Sequence, residues 1–219
     1  MSGRVLLVED HAAVAQGLAI ALRADGFEVE VAGAASMEGI LATARQLSPD
    51  AVLLDLHLGE LLGDTVPLIP QLRATGARVV MFTAEVDAGA LGSCVEVGAD
   101  GVLAKSQPLE EVVGALRKAL SGEPLLTGAR RTDLLDAAHQ ARSEARRRGA
   151  AFEALTRREQ EVLAAMMDGH SAEAIAERKY VSITTVRSHI RSVLAKLGVG
   201  SQLQAVALAR RAGWLPPQD

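Results

Sequence analysis

RVLLVED, at residues 4–10, is a short run of branched apolar residues that ends in two acids. A second run of the same kind, AVLLD at residues 51–55, ends in the single acid Asp55. Uninterrupted apolar runs of about four to eight residues are typical of strands that are buried on both faces of a parallel sheet. The sequence therefore predicts two such strands, each with acidic residues at its carboxyl end.

Three further runs continue this pattern: FEVEVA at 27–32, VVMFT at 79–83 and GVLA at 101–104. The segments between the runs have helical periodicity, and Pro108 is expected to open a last helix that reaches about residue 120. Five strands that alternate with five helices predict an α/β fold with a doubly wound, flavodoxin-like parallel sheet.

Five polar residues lie at the carboxyl ends of the predicted strands, where such sheets bind ligands. Glu9, Asp10 and Asp55 would bring three carboxylates together, and their repulsion calls for a cation such as Mg²⁺. Asp55 is then a candidate nucleophile for a phosphoryl group, with Thr83 and Lys105 as its partners. A loop-capping or surface role would explain any one of these residues alone, but their common placement favours a shared site.

Composition limits the classes of protein to consider. The chain has 219 residues, of which 49% are hydrophobic but only 2% are aromatic, so its core must rely on aliphatic side chains. Its single cysteine, Cys94, excludes a disulfide framework and a thiolate zinc cluster. No apolar stretch approaches the ~20 residues of a membrane span, and no basic and apolar leader precedes the first strand. These features predict a cytoplasmic protein.

Charge is distributed unevenly along the chain. The first 120 residues carry 8 basic against 16 acidic side chains, whereas residues 152–219 carry 9 against 7. An acidic front and a mildly basic rear favour two domains with different partners. The segment Ser121-Gly122-Glu123-Pro124 interrupts the alternating pattern, and an Ala- and Arg-rich stretch follows it. We therefore divide the chain into a domain at 1–121, a solvated helical linker at 122–151 and a domain at 152–219.

The C-terminal domain has helical periodicity throughout and predicts an all-α fold of four helices. Thr156, Ser171 and Ser182 are expected to cap the first three, and Glu159 completes a capping box with Thr156. The second helix is short, the third runs to about Leu197, and the connection between them is tight. This combination is a helix-turn-helix.

The third of these helices has two distinct faces. Its apolar residues form one stripe: Val186, Ile190, Val193 and Leu197. Polar and basic residues lie away from that stripe: Thr184, Thr185, Arg187, Ser188 and Arg191. This pattern suits a helix in the major groove, with arginines reaching base edges or phosphates and threonines fixing the register. An ordinary amphipathic helix with a solvated basic face is the alternative.

Several motifs resemble one family of bacterial regulators. LLVED, VLLDL, MFTA and GVLAK, in this order and spacing, resemble the receiver domain of response regulators. The long stretch from LTRREQEVL to AVALA is similar to the DNA-binding domain of the LuxR/NarL/FixJ family. Together the two resemblances cover nearly the whole chain apart from the linker.

The resemblance implies roles for individual residues. Asp55 would accept phosphate from a sensor histidine kinase, and Thr83 and Lys105 would contact the phosphoryl group. The implied Mg²⁺ ligands are Glu9, Asp10, Asp55 and the backbone carbonyl of His57. In the C-terminal domain, Arg187, Ser188 and Arg191 would face the bases and Lys196 would meet the DNA backbone.

The chain also departs from the family pattern. Gly59 replaces the usual proline four residues after the phosphoacceptor, and Val102 replaces the usual aromatic residue of the fifth strand. We expect a more mobile loop at Gly59, because glycine frees φ. We also expect the signal to leave the receiver by a route other than an aromatic side chain. Lys179 and Gln202 replace a usual apolar residue and a frequent arginine.

The sequence thus predicts a transcriptional response regulator, and not an enzyme, that is phosphorylated on Asp55 and then binds double-stranded promoter DNA as a homodimer. One alternative is a DNA-binding protein that needs no phosphorylation and uses its receiver only to dimerise. Another is a phosphatase with Asp55 as a transient nucleophile. Such enzymes commonly have a second acid two residues further on, where this chain has His57.

Overall fold

The computed structural model describes residues 3–33 and 36–216, and the side chains of Glu60 and Leu61 are not among the described parts. The chain divides into two compact units, Met1–Gln140 and Ala141–Asp219. Among the described residues, no single helix is long and apolar enough to cross a membrane, and only the last two helices pass that test together, as a pair bent by 54°.

The N-terminal unit alternates strands and helices. Its strands are β1 (Arg4–Val8), β2 (Glu28–Ala32), β3 (Ala51–Leu54), β4 (His57–Leu58), β5 (Gly63–Asp64), β6 (Arg78–Thr83) and β7 (Gly101–Ala104). Its helices are α1 (Ala12–Ala24), α2 (Met37–Leu47), α3 (Gly59–Leu62), α4 (Leu68–Arg73), α5 (Ala88–Glu96) and α6 (Leu109–Ser121), followed by the first part of α7 (Gly128–Glu153).

Five of these strands form a parallel sheet in the order β2-β1-β3-β6-β7. The predicted doubly wound parallel sheet is confirmed. Both faces of the sheet are covered, since Leu6 and Val8 belong to one buried cluster while Val5 and Leu7 belong to another. This two-sided burial explains why the strand runs are apolar at every position.

Two features after β3 were not predicted. His57–Leu58 and Gly63–Asp64 pair as a short antiparallel ladder, with the single turn α3 between them. Strands of two residues are too short to show a period in the sequence, so no pattern could indicate them.

The only cysteine of the chain lies in the core. Cys94, on α5, is fully buried among the apolar residues on one face of the sheet, and its Sγ lies 3.4 Å from the carbonyl oxygen of Ala90. Burial, and then the charge of Asp64, raise the pKa of the Cys94 thiol to about 12. The thiol is therefore protonated at neutral pH.

The predicted linker is helical but it is not solvated throughout. Leu134 and Ala138, in the first half of α7, are fully buried, and Leu134 packs with Leu91 and Val95 of α5. The expectation of a solvated linker was wrong for this half, because two isolated apolar residues in a polar helix gave no sign of a packed face. The domain limits at 121 and 151 stay predictions.

The C-terminal unit contains the end of α7 and four helices, as predicted. They are α8 (Arg157–Met167), α9 (Ala172–Lys179), α10 (Ile183–Leu197) and α11 (Gln202–Arg211). Thr156, Ser171 and Ser182 cap the first three, and the capping box of Thr156 and Glu159 is present. Their shared core includes Leu163, Val186 and Val193. Phe152 of α7 belongs to the same core and stacks on Trp214 with ring centroids 5.8 Å apart.

Glu159 is a buried charged residue that joins three segments of this unit. Its Oε2 accepts hydrogen bonds from the Thr156 amide at 2.7 Å and from Lys196 Nζ at 2.7 Å, and its Oε1 accepts one from the Ser192 hydroxyl at 2.5 Å. Burial acts to raise the pKa of Glu159, but the bonds from Lys196, Ser192 and Thr156 outweigh it and lower the pKa to about 2.

We expect Glu159→Gln to lower the free energy of unfolding of the C-terminal unit by about 2 kcal/mol at neutral pH, because it removes charge-assisted hydrogen bonds to a buried carboxylate. A carboxyl group whose pKa is lowered by folding stabilises the protein above its unfolded pKa, near 4.5, and this contribution is lost as pH falls towards 2. The difference between the two proteins should therefore shrink below about pH 4.

Urea titration followed by the fluorescence of Trp214, the only tryptophan, measures this difference. Glu177→Gln, at an exposed position of α9, is the matched control and should be neutral. Equal stability of Glu159→Gln and wild type at pH 7 would contradict the assigned role.

Candidate functional site

The carboxyl ends of β1, β3, β6 and β7 meet at one edge of the sheet. The register pairs Val8 with Leu54 and Thr83 with Ala104, so the residues that follow these strands become neighbours. Glu9, Asp55 and Thr83 are buried there, with 4%, 6% and 2% of their surface exposed. Burial of a carboxylate costs free energy unless the charge is paired, so the partners of Glu9 and Asp55 determine whether the site is stable.

Lys105 is the partner of two of these carboxylates. Its Nζ donates a hydrogen bond to Asp55 Oδ2 at 2.7 Å and lies 2.5 Å from Glu9 Oε2. Partial burial acts to lower the pKa of the Lys105 amine, but its interactions with Asp55 and then Glu9 outweigh burial and raise the pKa. The amine is thus charged at neutral pH and compensates both acids.

His11 joins the acids although the sequence had not singled it out. Its Nδ1 lies 2.8 Å from Asp10 Oδ1 and 3.0 Å from Glu9 Oε1. A hydrogen bond to Glu9, and then the charge of Asp10, raise the pKa of this exposed imidazole. In the sequence, only its position directly after Glu9 and Asp10 indicated that His11 could contact these acids.

The acidic cluster has the chemistry of a divalent-cation site. Ligand atoms of Glu9, Asp10 and His11 lie within 4.8 Å of one another. Glu9 Oε2 is buried and has no aligned hydrogen-bond partner among the described residues, although the Lys105 amine lies at ion-pair distance. Carboxylate oxygens with open positions suit Mg²⁺, so the residues fit this ion. Asp55 does not belong to this group of ligand atoms. Its carboxylate is linked to Glu9 by the Lys105 amine, which pairs with both.

Thr83 ends β6 at the same edge, and the loop after it is tightly hydrogen-bonded. The Thr83 hydroxyl oxygen accepts a hydrogen bond from the Glu85 amide at 3.1 Å. The Glu85 carboxylate in turn accepts bonds from the amides of Val86 and Asp87, both at 2.7 Å. These backbone bonds, that of Asp87 first, lower the pKa of Glu85.

His57 lies near this loop with its imidazole largely in solvent. Its Nε2 is 3.7 Å from Glu85 Oε2, and 60% of its side chain is exposed. The proposed metal contact of His57 involves its backbone carbonyl, and this contact stays a prediction.

Gly59 has a conformation that proline cannot adopt. Its φ is +61°, and a Cβ at this position would lie 3.3 Å from Asp10 Oδ2. Proline fixes φ near −65°, and other L-residues are strained at positive φ. Glycine therefore allows the loop to turn closely past the Asp10 carboxylate, while the expected mobility of the loop stays a prediction.

Thr65 is a further residue that the sequence analysis missed. It is fully buried, and its hydroxyl donates a hydrogen bond to the Asp55 carbonyl at 2.7 Å. Its amide donates to the Leu56 carbonyl at 3.0 Å. Thr65 thus closes the loop that begins at Asp55, and its distance of ten residues along the chain left no local pattern to find.

Most of the candidate DNA-contacting residues lie on the exposed face of α10. The predicted residues Thr184, Thr185, Arg187, Ser188, Arg191 and Lys196 are all exposed, and the buried stripe of the helix is the predicted one. Arg187 Nη2 lies 3.2 Å from Glu173 Oε1 of α9, in a pair whose side chains are both more than half exposed. The Thr185 hydroxyl lies 2.8 Å from that of Ser182 and takes part in the helix cap.

Lys196 differs from this group because its amine already has intramolecular partners. Besides the bond to Glu159, Nζ donates to the carbonyl of Ala154 at 2.9 Å. A DNA phosphate would have to share the amine with a buried carboxylate. The predicted contact of Lys196 with the DNA backbone stays a prediction.

We expect Gly59→Ala to destabilise the N-terminal unit by about 1–2 kcal/mol, because an L-residue is strained at positive φ. Gly59→Pro should cost more, since proline cannot reach this φ at all. Hydrogen exchange of the sheet amides reports this unit separately from the C-terminal one.

Gly33→Ala is the matched loop control, because a Cβ there would meet nothing within 4 Å. If Gly59→Pro were as stable as wild type, the left-handed conformation of Gly59 would be refuted.

Two family profiles match the chain, one on each unit. The profile of the response regulator receiver domain matches residues 5–117. The profile of bacterial regulatory proteins of the luxR family matches residues 153–209. The acidic cluster and Lys105 lie in the first match, and α8 to α10 lie in the second.

Curated relatives align over nearly the full length. The transcriptional regulatory protein LiaR of Bacillus subtilis is 32% identical over 212 residues, which are 95% of this chain and 97% of LiaR. A nitrate/nitrite response regulator homologue of Haemophilus influenzae is 31% identical over 94% of this chain and 95% of its own. The response regulator VraR of Staphylococcus aureus is 29% identical over 95% of this chain and 97% of VraR.

Solved structures have the same architecture. A two-component response regulator of the LuxR family from Aurantimonas superposes with a TM-score of 0.52 at 25% identity, over 65% of this chain and 99% of its own. RcsB of Salmonella typhimurium superposes with a TM-score of 0.50 at 20% identity, over 96% of this chain and 98% of its own, which supports the fold alone. With both profiles matched and relatives aligned end to end, this chain belongs to the two-component response regulators with a receiver domain and a LuxR-type DNA-binding domain.

Proposed function

We propose that this transcription regulator is controlled by phosphorylation of Asp55, with a sensor histidine kinase as the phosphoryl donor and Mg²⁺ as the cofactor. The observation that carries the proposal is the ion pair between Asp55 and Lys105 at the sheet edge, beside the buried Glu9. A carboxylate held by an ion pair can act as a nucleophile, because the pair keeps its oxygen in one orientation.

The chain's own residues supply positioning and charge for this reaction. A carboxylate oxygen of Asp55 attacks the phosphorus, and an O–P bond forms while the P–N bond to the kinase histidine breaks. The Lys105 amine is 2.7 Å from Asp55 Oδ2 and can pair with the added negative charge, and the Thr83 hydroxyl can donate to a phosphoryl oxygen. Glu9, Asp10, Asp55 and the backbone carbonyl of His57 would hold Mg²⁺, which would neutralise charge on the transferred group.

For DNA recognition we propose that α10 enters the major groove. Arg187, Ser188 and Arg191 would contact base edges, and Thr184 and Thr185 would contact phosphates near the helix N-terminus. The support is their shared exposure on the face opposite the buried stripe.

We further propose that the phosphorylated protein binds promoter DNA as a homodimer, with one half-site for each subunit. The alternative is a regulator that binds DNA equally well without phosphorylation. Comparison of DNA affinity between wild type and Asp55→Ala, each with and without donor, separates the two. Equal affinity in all four cases would favour the alternative.

We expect the wild-type protein to gain one phosphoryl group from acetyl phosphate in the presence of Mg²⁺, while Asp55→Asn gains none. The amide lacks the negative charge and the nucleophilicity of the carboxylate. Intact-protein mass spectrometry measures the gain, and chelation of Mg²⁺ should abolish it in the wild type.

Asp25→Asn is the matched control, because Asp25 lies at the far end of α1 and is 40% exposed. It should be phosphorylated like wild type. Donor-dependent phosphorylation that persists in Asp55→Asn would place the phosphoacceptor elsewhere.

We expect Arg187→Ala and Arg191→Ala each to weaken specific DNA binding by about 1–3 kcal/mol. Because these arginines are proposed to contact base edges and not phosphates, the salt dependence of binding should stay close to that of wild type. Fluorescence anisotropy over a series of salt concentrations, with a duplex selected from a random library, measures both.

Arg157→Ala removes the same charge from α8, where the side chain is 74% exposed and lies 3.7 Å from Glu161. Its affinity should stay close to wild type. If Arg157→Ala weakened binding as much as the α10 variants did, general charge rather than α10 would account for the effect.

A further inference from the structure

The turn between α9 and α10 exposes three large apolar side chains within four residues, a group that we name the turn edge. Tyr180 is 96% exposed, Val181 43% and Ile183 42%. Other large exposed apolar side chains of the described residues are scattered along the chain: Val14, Ile20, Val86, Val97, Leu203 and Leu215. Single exposed apolar residues are normal, whereas a group of them is typical of a surface that contacts another molecule.

The backbone holds Tyr180 in a conformation that tyrosine rarely adopts. It ends α9 with φ +52° and ψ +43°, in the left-handed region. Glycine or asparagine is the usual residue at such a helix end, and a larger side chain is strained there. Because the ring is almost wholly exposed, packing within the chain does not offset this strain. The tyrosine therefore contributes nothing to the core of the C-terminal unit.

Ile183 lies on the same side of α10 as the two arginines proposed to contact bases. The Ser182 hydroxyl accepts a hydrogen bond from the Thr185 amide at 3.1 Å, which fixes Ile183 as the first helical residue. Residues four apart on an α-helix differ by only about 40° around its axis. Ile183, Arg187 and Arg191 therefore form one row, which begins with an aliphatic group and continues with two guanidinium groups.

A DNA duplex offers a partner for each side chain of this edge. The 5-methyl group of thymine is the apolar feature that base edges present in the major groove, and aliphatic side chains contact it. The sugar–phosphate backbone combines apolar and polar groups, as the ring and hydroxyl of tyrosine do. Arg187 and Arg191, in the same row as Ile183, favour a polyanion over an apolar protein surface, because charged residues are depleted at the centre of protein interfaces.

We propose that the turn edge belongs to the DNA-reading surface, with Ile183 against the 5-methyl group of a thymine and Tyr180 against the neighbouring sugar–phosphate backbone. Both contacts rest on the proposed entry of α10 into the major groove. Arginine selects guanine, whereas an aliphatic side chain selects thymine. Since Ile183 lies one helical turn before Arg187, the thymine should lie within about two base steps of the base that Arg187 contacts.

Replacement of single thymines by uracil in the selected duplex tests the contact of Ile183. Uracil pairs with adenine as thymine does and lacks only the methyl group. For the wild-type full chain, uracil at one position of each half-site should weaken binding about fourfold, the value of one buried methyl group. Fluorescence anisotropy at a fixed salt concentration measures the affinity, with the protein treated with acetyl phosphate and Mg²⁺.

Ile183→Ala completes a double-mutant cycle with the uracil duplex. On the thymine duplex this variant should lose at least about fourfold in affinity, because the methyl group loses its apolar partner. On the uracil duplex it should lose no more, since the methyl group is already absent. Ile20→Ala, at an isoleucine of α1 that is 67% exposed, is the matched control and should keep both the wild-type affinity and the full uracil penalty.

Tyr180→Gly separates the contact of Tyr180 from a structural role. Glycine suits a positive φ, so the C-terminal unit should be at least as stable as in wild type when unfolding is followed by Trp214 fluorescence. Affinity for the selected duplex and for an unrelated duplex should nevertheless fall by the same factor, at least about threefold, because a backbone contact carries no sequence information.

The outcomes distinguish the turn edge from the proposed function of α10. If the wild-type protein binds no duplex specifically, both are wrong. If it binds specifically but no uracil replacement weakens it, or if the uracil penalty persists in Ile183→Ala, the thymine contact is refuted while the function of α10 stands. Wild-type affinity of Tyr180→Gly for both duplexes would refute the backbone contact.

Discussion

The compensation of two buried carboxylates by one amine is the constraint on which the N-terminal unit depends. Glu9 follows β1 and Asp55 follows β3, and their carboxylates would repel each other at the sheet edge without the Lys105 amine between them. These contacts form only if β1, β3 and β7 end at the same level of the sheet. The chemistry of the site therefore depends on the register of the strands.

The elements of the fold were predictable where the signal is local. Strands buried on both faces are apolar at every position, and Thr156, Ser171 and Ser182 satisfy free amides within three residues of themselves. The presence of acids, a hydroxyl and an amine at the strand ends was equally visible. The meeting of Glu9, Asp55 and Lys105 followed from the topology of parallel sheets, and their chemical roles stay predictions.

The rest depends on contacts between residues far apart in sequence. Lys196 looks like a surface cation until Glu159, 37 residues earlier, is seen to hold it. Thr65 is ten residues from the Asp55 carbonyl that it binds. Leu134 looks like an isolated leucine in a polar helix, because the residues that pack on it lie on another element. Neither periodicity nor a local motif indicates which distant residues will be in contact, so these contacts can be found only in the folded structure.

The state of the chain's only thiol has a practical consequence. Thiolates, and not thiols, react with maleimides and with oxidants, and a group with a pKa of about 12 supplies almost none of the reactive form at physiological pH. Cys94 is also sealed in the core. Surface cysteines can therefore be introduced for spin labels or fluorophores without first removing the native one. For the same reason, peroxide should leave the Cys94 thiol unmodified while the chain remains folded.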